Sequence, residues 1–397
     1  MSKVRVGDFV LTDEAGFACS KNKLVPKGLP HLRPFNIAES GGFDFTQIYQ
    51  IPSDAAPNGK SELLVGDILF NNTNSADLVG KSAVVSTAMN AGYSNHITRI
   101  RIDVNRAEPL WFGYWLRRLH STGYFKANAT QWVSQAAYRT TDLCKLELNL
   151  PPIAEQRRIV DLLSRAEGIV RLRREAQAKA QAIIPALFVD MFGDAATNTK
   201  GWPKCPLGEL ICSGPTNGLY KHKSLYGRGT PILRIDAFYS GKVKDLNALK
   251  RVELESDIEL KRFEVEQGDI VINRVNSPEY LGKSAIIPEL PEPIVFESNM
   301  MRLSVNRARV LPEFVIAQLQ QPAARNHFLA NAKHAINQSS INQQDVKSLP
   351  MIVPPIAVQA KFVEWSTNAN SILMQQEEAL LTAEQTFASI LARSFEQ

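Results

Sequence analysis

An internal duplication constrains this chain more than any other feature. Gly66, Asp67, Ile68, Asn71, Asn74 and Ser75, followed by Gly80-Lys81-Ser82-Ala83, return in order as Gly268, Asp269, Ile270, Asn273, Asn276 and Ser277, followed by Gly282-Lys283-Ser284-Ala285. The offset is 202 residues, and ten of the eighteen positions are identical without a gap. The register extends outward. Pro30-His31-Leu32-Arg33 matches Pro231-Ile232-Leu233-Arg234, and Pro151-Pro152-Ile153-Ala154 with Gln156 matches Pro354-Pro355-Ile356-Ala357 with Gln359. Solenoid and propeller repeats run about 20–50 residues, so so long a period describes duplicated whole domains. Two similar domains imply two similar tasks.

The 397 residues, 44% of them apolar, suffice for two domains with a core each. Net charge is only +5, and a division at Ala195 leaves 23 basic and 19 acidic residues before it and 22 and 21 after. Any nucleic-acid surface must therefore be local rather than a basic bulk. The first residues lack the apolar core of a secretion signal and no apolar run is long enough to span a bilayer, so a soluble, cytoplasmic protein without a membrane partner is expected. Cys19, Cys144, Cys205 and Cys212 include no closely spaced ligand pair and are expected as reduced thiols, with no metal site.

Each copy runs in the same order. Short β-like segments such as 67–70, 83–86 and 97–102 alternate with Gly/Asn/Ser turns and predict a mixed sheet. A helix is expected over 111–119, and its counterpart over 314–319, each entered through a proline, Pro109 or Pro312. After Pro151-Pro152 the pattern changes: Ile159, Leu162, Leu163, Ala166, Ile169, Val170, Ala180, Ile183, Ile184, Leu187, Phe188 and Met191 fall at helical spacing among many arginines. A helix over 154–191 would span about 57 Å at 1.5 Å per residue. A matching helix follows Pro354-Pro355, with Phe362, Val363, Ile372, Leu373, Leu380, Leu381, Phe387, Ile390 and Leu391 on its apolar stripe. Pro185 stands where the second copy has Ala388, which predicts a kink or an early end in the first helix.

The expected fold class is thus mixed α/β (α+β): two similar domains, 1–150 and 194–353, separated by helical segments 151–193 and 354–397. Pairing of the two apolar stripes as an antiparallel coiled coil would relate the copies by a pseudo-two-fold axis. Gln156, Ile159, Leu162, Leu163, Ala166, Gln359, Phe362 and Val363 are the candidates for helix pairing and partner docking. The alternative is that each helix packs on its own domain alone.

Equivalent modules on a stiff spacer suit a repeating target. Proteins that read two DNA half-sites place their modules about 34–36 Å apart. Asn71, Asn72, Asn74 and Ser75, with Asn273, Arg274, Asn276 and Ser277, follow an apolar strand in each copy; Asn and Arg can contact base edges, while Lys81 and Lys283 suit phosphates. Tight turns use the same residue types, and that reading stays open. Further candidates are Lys21, Lys23 and Arg33 with Lys221, Lys223 and Arg234, then Gln131, Gln135 and Arg139 with Asn337, Gln338 and Asn342. Trp111, Trp115 and Trp132 could stack on bases, although the first two sit at core positions of a helix.

Catalytic signatures are missing. The Gly-Lys-Ser triplets lack the upstream glycine of a phosphate-binding loop, since positions 75 and 277 are Ser. The six histidines form no zinc motif, and no glycine-rich cofactor fingerprint follows a strand. An amino-methyltransferase would need Asn or Asp before its Pro-Pro pair, whereas Leu150 and Val353 stand there. The chain is expected to be no enzyme and to bind no cofactor.

The Pro-Pro-Ile-Ala-Glu-Gln-Arg-Arg-Ile stretch at 151–159, its partial copy at 354–359, and Gly-Asp-Ile with downstream Gly-Lys-Ser-Ala in both copies resemble the DNA specificity subunit of type I restriction-modification systems. The likeness covers essentially the whole chain; the second copy departs at Val358 and Ala360. The resemblance implies two target-recognition domains reading double-stranded DNA, one half of a bipartite site each, and spacer helices that dock two methyltransferase subunits. Restriction subunits would complete the complex. S-adenosylmethionine, and ATP with Mg, would be used by those partner subunits. A stand-alone bipartite DNA-binding regulator and a non-DNA protein scaffold remain alternatives.

Overall fold

Each copy is built around an antiparallel sheet whose central strand is the apolar run after the repeated Gly-Asp pair. The computed structural model describes residues 2–335 and 338–396. The chain divides into two compact units: unit 1 holds the residues up to Glu175 and those from Glu378 onward, and unit 2 spans Ala176–Glu377.

In unit 1 the main sheet uses β1 (Val10–Ala15), β2 (Ile68–Asn71), β4 (Ser82–Val84) and β5 (Ile97–Ile102), with β3 (Thr73–Asn74) lying apart. The order is β1-β5-β2-β4, antiparallel throughout. β2 is apolar at consecutive positions because both faces of the sheet are covered. Ile68 and Phe70 join one core with Trp111, Phe112 and Leu116, while Leu69 joins another with Leu32, Tyr93 and Ile97. Helix α1 (Pro109–Ser121) starts at its proline, as the sequence predicts, and α2 (Tyr124–Asn128) follows it. A hairpin, β6 (Thr130–Gln131) and β7 (Ala136–Ala137), then pairs through β7 with β3. Ser2–Arg5 and Glu147–Leu150 pair antiparallel and bring the chain to Pro151, where α3 (Ile153–Phe192) begins one residue after Pro152.

Unit 2 repeats the plan. Its sheet runs β8 (Ile211–Asn217), β14 (Met300–Val305), β11 (Ile270–Asn273), β13 (Ser284–Ile286), β10 (Gly241–Val243), β9 (Phe238–Tyr239), so the first four strands reproduce the unit 1 order. β12 (Val275–Asn276) pairs with a hairpin of β15 (Lys333–Ala335) and β16 (Gln338–Ser340). Helices α4 (Pro312–Leu319) and α5 (Pro322–Asn331) stand for α1 and α2, and α6 (Ile356–Phe395) for α3.

Both long helices contain 40 residues, about 60 Å at 1.5 Å each. Each divides between the units, and the halves pair within each unit. In unit 1, Ile159, Leu163, Ala166 and Val170 of α3 are buried with Phe387 and Leu391 of α6. The steps of four, three and four residues are the heptad spacing of a coiled-coil seam. In unit 2, Phe188 and Phe192 of α3 lie in one aromatic cluster with Phe314 and Phe362, the last from α6. The start of one helix thus meets the end of the other in both units, which is the antiparallel pairing the apolar stripes predict. The helix halves also join the domain core of each unit, but they do not pack there alone, so the pairing holds and the alternative does not. The expected early end at Pro185 is corrected: α3 continues through it to Phe192. The missing N–H leaves the Gln181 carbonyl without its intrahelical donor, a local cost that the aromatic cluster three residues on can offset.

Candidate nucleic-acid interface and helix bases

The repeated polar residues turn out to build the fold. Gly80 and Gly282 have φ of +87° and +74°, and a Cβ there would meet the rings of Phe125 and Phe328 at 2.1 and 2.2 Å. Only glycine satisfies both the left-handed backbone and the ring. Lys81 turns inward and donates from Nζ to the Ile37 carbonyl at 2.5 Å; Lys283 does the same to Ile235 at 2.6 Å. Burial holds both ammonium groups below the usual lysine pKa, Lys244 adding to the effect at Lys283. Lys283 also sits 3.8 Å from the centre of the Tyr239 ring. These two lysines tie the sheet to a distant loop rather than to phosphate.

Other candidates are corrected for the same reason. Asn71 and Asn273 are fully buried at the ends of their strands. Asn71 Nδ2 donates to the Leu78 carbonyl, and Asn74 and Asn276 each accept from the next residue's N–H at 2.8 Å, which is turn chemistry. Asn72 donates to Asn95 O and Thr98 Oγ1, and Arg274 to Ser298 O. Arg33 is taken up by the Cys19 carbonyl, Arg234 by the Glu297 carboxylate, and Lys221 by Glu255 and Glu259 at 2.7 and 2.9 Å. Asn342 caps a short helix by accepting from Gln344 N and Asp345 N. Each of these side chains is buried or already holds a partner within its own unit.

The surface set is smaller. Lys21, Lys23, Ser75, Gln135 and Arg139 in unit 1, and Lys223 and Gln338 in unit 2, are exposed, while Ser277 is half-buried. Asn337 lies outside the described residues. Register brings several of them together: Ala136 and Ala137 of β7 pair with Asn74 and Thr73, so the 72–75 loop and the 131–135 turn share one small sheet. Trp111 is core, Trp115 packs against it, and Trp132 is exposed. Val133 beside it was not singled out from sequence; an apolar pair amid Gln and Ser was the available signal.

At the base of each long helix the Pro-Pro motif has a defined task. Gln156 is fully buried; its Oε1 accepts from Glu108 N at 2.8 Å and its Nε2 donates to Arg106 O at 3.1 Å and Pro151 O at 2.8 Å. Gln359 repeats this with Leu311 N at 2.9 Å, Arg309 O at 3.2 Å and Pro354 O at 2.7 Å. Glu108 and Leu311 are the N-caps of α1 and α4. Each glutamine therefore clamps a proline-entered helix to the first turn of a long one, and as a contact to another subunit it is corrected. Ile159, Leu163, Ala166 and Phe362 are likewise buried in their own units, and Val363 is half-buried. Leu162 remains 41% exposed on the wall of a groove of about 530 Å³ in unit 1, which Trp115, Arg158, Ile390, Arg393 and Phe395 also line.

Among the described residues no helix is long and apolar enough to cross a membrane.

No protein-family model matches the chain. It is 25% identical over 395 residues to the type I restriction enzyme EcoKI specificity subunit of Escherichia coli K12, covering 94% of this chain and 83% of that one. The StySPI specificity subunit of Salmonella potsdam is 23% identical at the same coverage. In fold, the chain resembles a solved structure of a type I restriction-modification system (TM-score 0.61, 18% identity, 99% of this chain and 97% of that one). It also resembles the S subunit of such a system from M. genitalium (TM-score 0.54, 14% identity, 100% and 96%). The duplicated fold and the likeness over nearly the full length agree: the chain is similar, along almost its whole length, to the specificity subunits of type I restriction-modification systems.

Proposed function

We propose that this chain gives a type I restriction-modification complex its DNA sequence specificity, reading a bipartite double-stranded target with one half-site per unit. The observation that carries the reading is the pairing of full-length likeness to specificity subunits with a recognition fold present twice. Duplication supplies two readers, and their exposed loop residues differ, as at Trp132 against Ala335, which suits two different half-sites. Phosphate contacts from Lys21, Lys23 and Arg139 in unit 1, and Lys223 in unit 2, would set register, and base-edge contacts from the hairpins would choose sequence.

The chain itself does no chemistry in this reading. Two methyltransferase subunits would dock at the two equivalent helix bases, with S-adenosylmethionine bound by them, and restriction subunits using ATP and Mg would join the larger complex. The long helices would act as the ruler for the unread gap, so a four-residue insertion near Ala178 is expected to change the preferred gap or abolish activity.

Co-expression with a methyltransferase subunit tests the reading. The expected result is co-purification and methylation of a two-part motif only when both chains are present. A chain that binds a bipartite operator alone and ignores the methyltransferase would make it a regulator instead, and no duplex preference in the joint presence of both would favour a protein scaffold.

A further inference from the structure

The β6–β7 hairpin ends in a feature that folding does not use. Thr130 pairs with Ala137 and Gln131 with Ala136, so residues 132–135 stand beyond the last strand pair, closed by Trp132 N donating to Gln135 O at 2.7 Å. Trp132 is 59% exposed and Val133 is fully exposed, and neither contributes to a hydrophobic core. Burying either side chain in the folded unit would have been favourable; leaving both at a projecting tip forgoes that gain.

We propose that the Trp132–Val133 tip enters the duplex at the half-site read by unit 1 and makes apolar contact with its bases. This rests on the reading of the chain as a DNA specificity subunit and assigns two residues to it. Size decides the occupant. A stable protein partner needs roughly 800 Å² on each side, far more than two side chains on a four-residue turn present. An apolar wedge at a base step needs only one or two side chains, and a two-stranded ribbon fits a major groove about 12 Å wide. The rim agrees: Gln131, Ser134, Gln135 and Arg139 are exposed around the tip and carry the amide, hydroxyl and guanidinium groups that meet base edges and phosphates. The nearby Lys126 ammonium is paired with Asp77 at 2.6 Å. The aromatic side chain is private to unit 1, since the β15 residue matching Trp132 is Ala335, preceded by exposed Lys333 and His334. Unit 1 would therefore read its half-site partly through an aromatic contact that the matching position of unit 2 does not supply.

The test uses the complex of this chain with its methyltransferase subunit, a duplex bearing the motif mapped from methylated DNA, and a scrambled duplex of equal composition. Trp132→Ala with Val133→Ser should weaken binding of the motif duplex by about tenfold or more, the scale of losing one base–aromatic contact. Binding to the scrambled duplex should change less than twofold, and the salt dependence should keep its slope because no phosphate contact is lost. Trp132→Phe should restore most of the affinity. 2-Aminopurine placed through the unit 1 half-site should report unstacking in the wild-type complex and not in the double variant. Unchanged affinity for the motif duplex, or equal loss on both duplexes, overturns the inference while leaving the DNA reading intact. A wild-type complex that prefers no duplex overturns both.

Discussion

Removing the Gln156 side chain is the sharpest test of how these units hold their helices. Gln156→Ala deletes three hydrogen bonds and leaves Glu108 N, Arg106 O and Pro151 O without that partner. At about 1 kcal/mol net for each bond, and more where the abandoned group stays dry, the loss is about 3–5 kcal/mol. Native-state hydrogen exchange reads this locally, because the Glu108 amide is itself one of the donors. Opening there should become easier by roughly two to three and a half orders of magnitude, at about 1.4 kcal/mol per tenfold. The Leu311 amide, held by Gln359 in unit 2, should be unaffected, and Gln359→Ala should give the reverse pattern. Gln156→Glu separates bonding from volume: a carboxylate fills the space but cannot donate to two carbonyls, so it should destabilise as much as alanine. A change below about 1 kcal/mol at Glu108 would refute the clamp, since that is the worth of a single replaceable bond. Equal responses at Glu108 and Leu311 would refute its local character.

Burial, with the neighbouring Arg33 adding to it, lowers the pKa of His31 to about 4, while its Nε2 contact with the Phe17 carbonyl at 3.2 Å opposes the shift. A group depressed in the folded state from 6.5 to about 4 takes up its proton first in the unfolded chain, so unit 1 should keep its stability above pH 6.5 and lose it as pH falls toward 4. The limiting slope is about 1.4 kcal/mol per pH unit, and urea titrations at pH 7 and 5 should show it for the wild type and not for His31→Gln. Lys81→Met should lower the thermal midpoint of unit 1 yet leave the methylated motif unchanged, because its ammonium holds Ile37 O rather than DNA; a changed motif by methylome sequencing would contradict that. Arg139→Ala, at an exposed site, should weaken binding to all duplexes alike and reduce the salt slope by about one, as loss of one phosphate contact does.

Sequence made the architecture legible and the site only partly so. A gap-free repeat of polar and glycine positions reveals a duplication whatever those residues do, and the apolar spacing from Ile159 to Phe188 marks a long helix, although Leu162, Ile169 and Ile183 of that stripe stay exposed. What each repeated residue does was not legible. Lys81 reaches a carbonyl 44 positions away and Gly80 makes room for a ring of a five-residue helix too short to leave a periodic signal. Asn, Ser and Lys look the same in a sequence whether they close a turn or meet a base, and only tertiary neighbours separate the two. Identity between the copies therefore marked shared construction: many of the residues that repeat, such as Asn71 and Asn273, Asp67 and Asp269, or Gln156 and Gln359, are buried in both units. The surface positions left for reading DNA, such as Trp132 against Ala335, are those where the copies part.

The central claim is that each unit reads its own half of a two-part target. Mapping methylated bases in cells that carry this chain, and in cells where the exposed turn 131–135 and Arg139 are replaced together, tests it most directly. The account predicts a motif with two specified halves and a fixed gap, with only one half altered by the replacement. An uninterrupted motif, or a change spread equally over both halves, would contradict it.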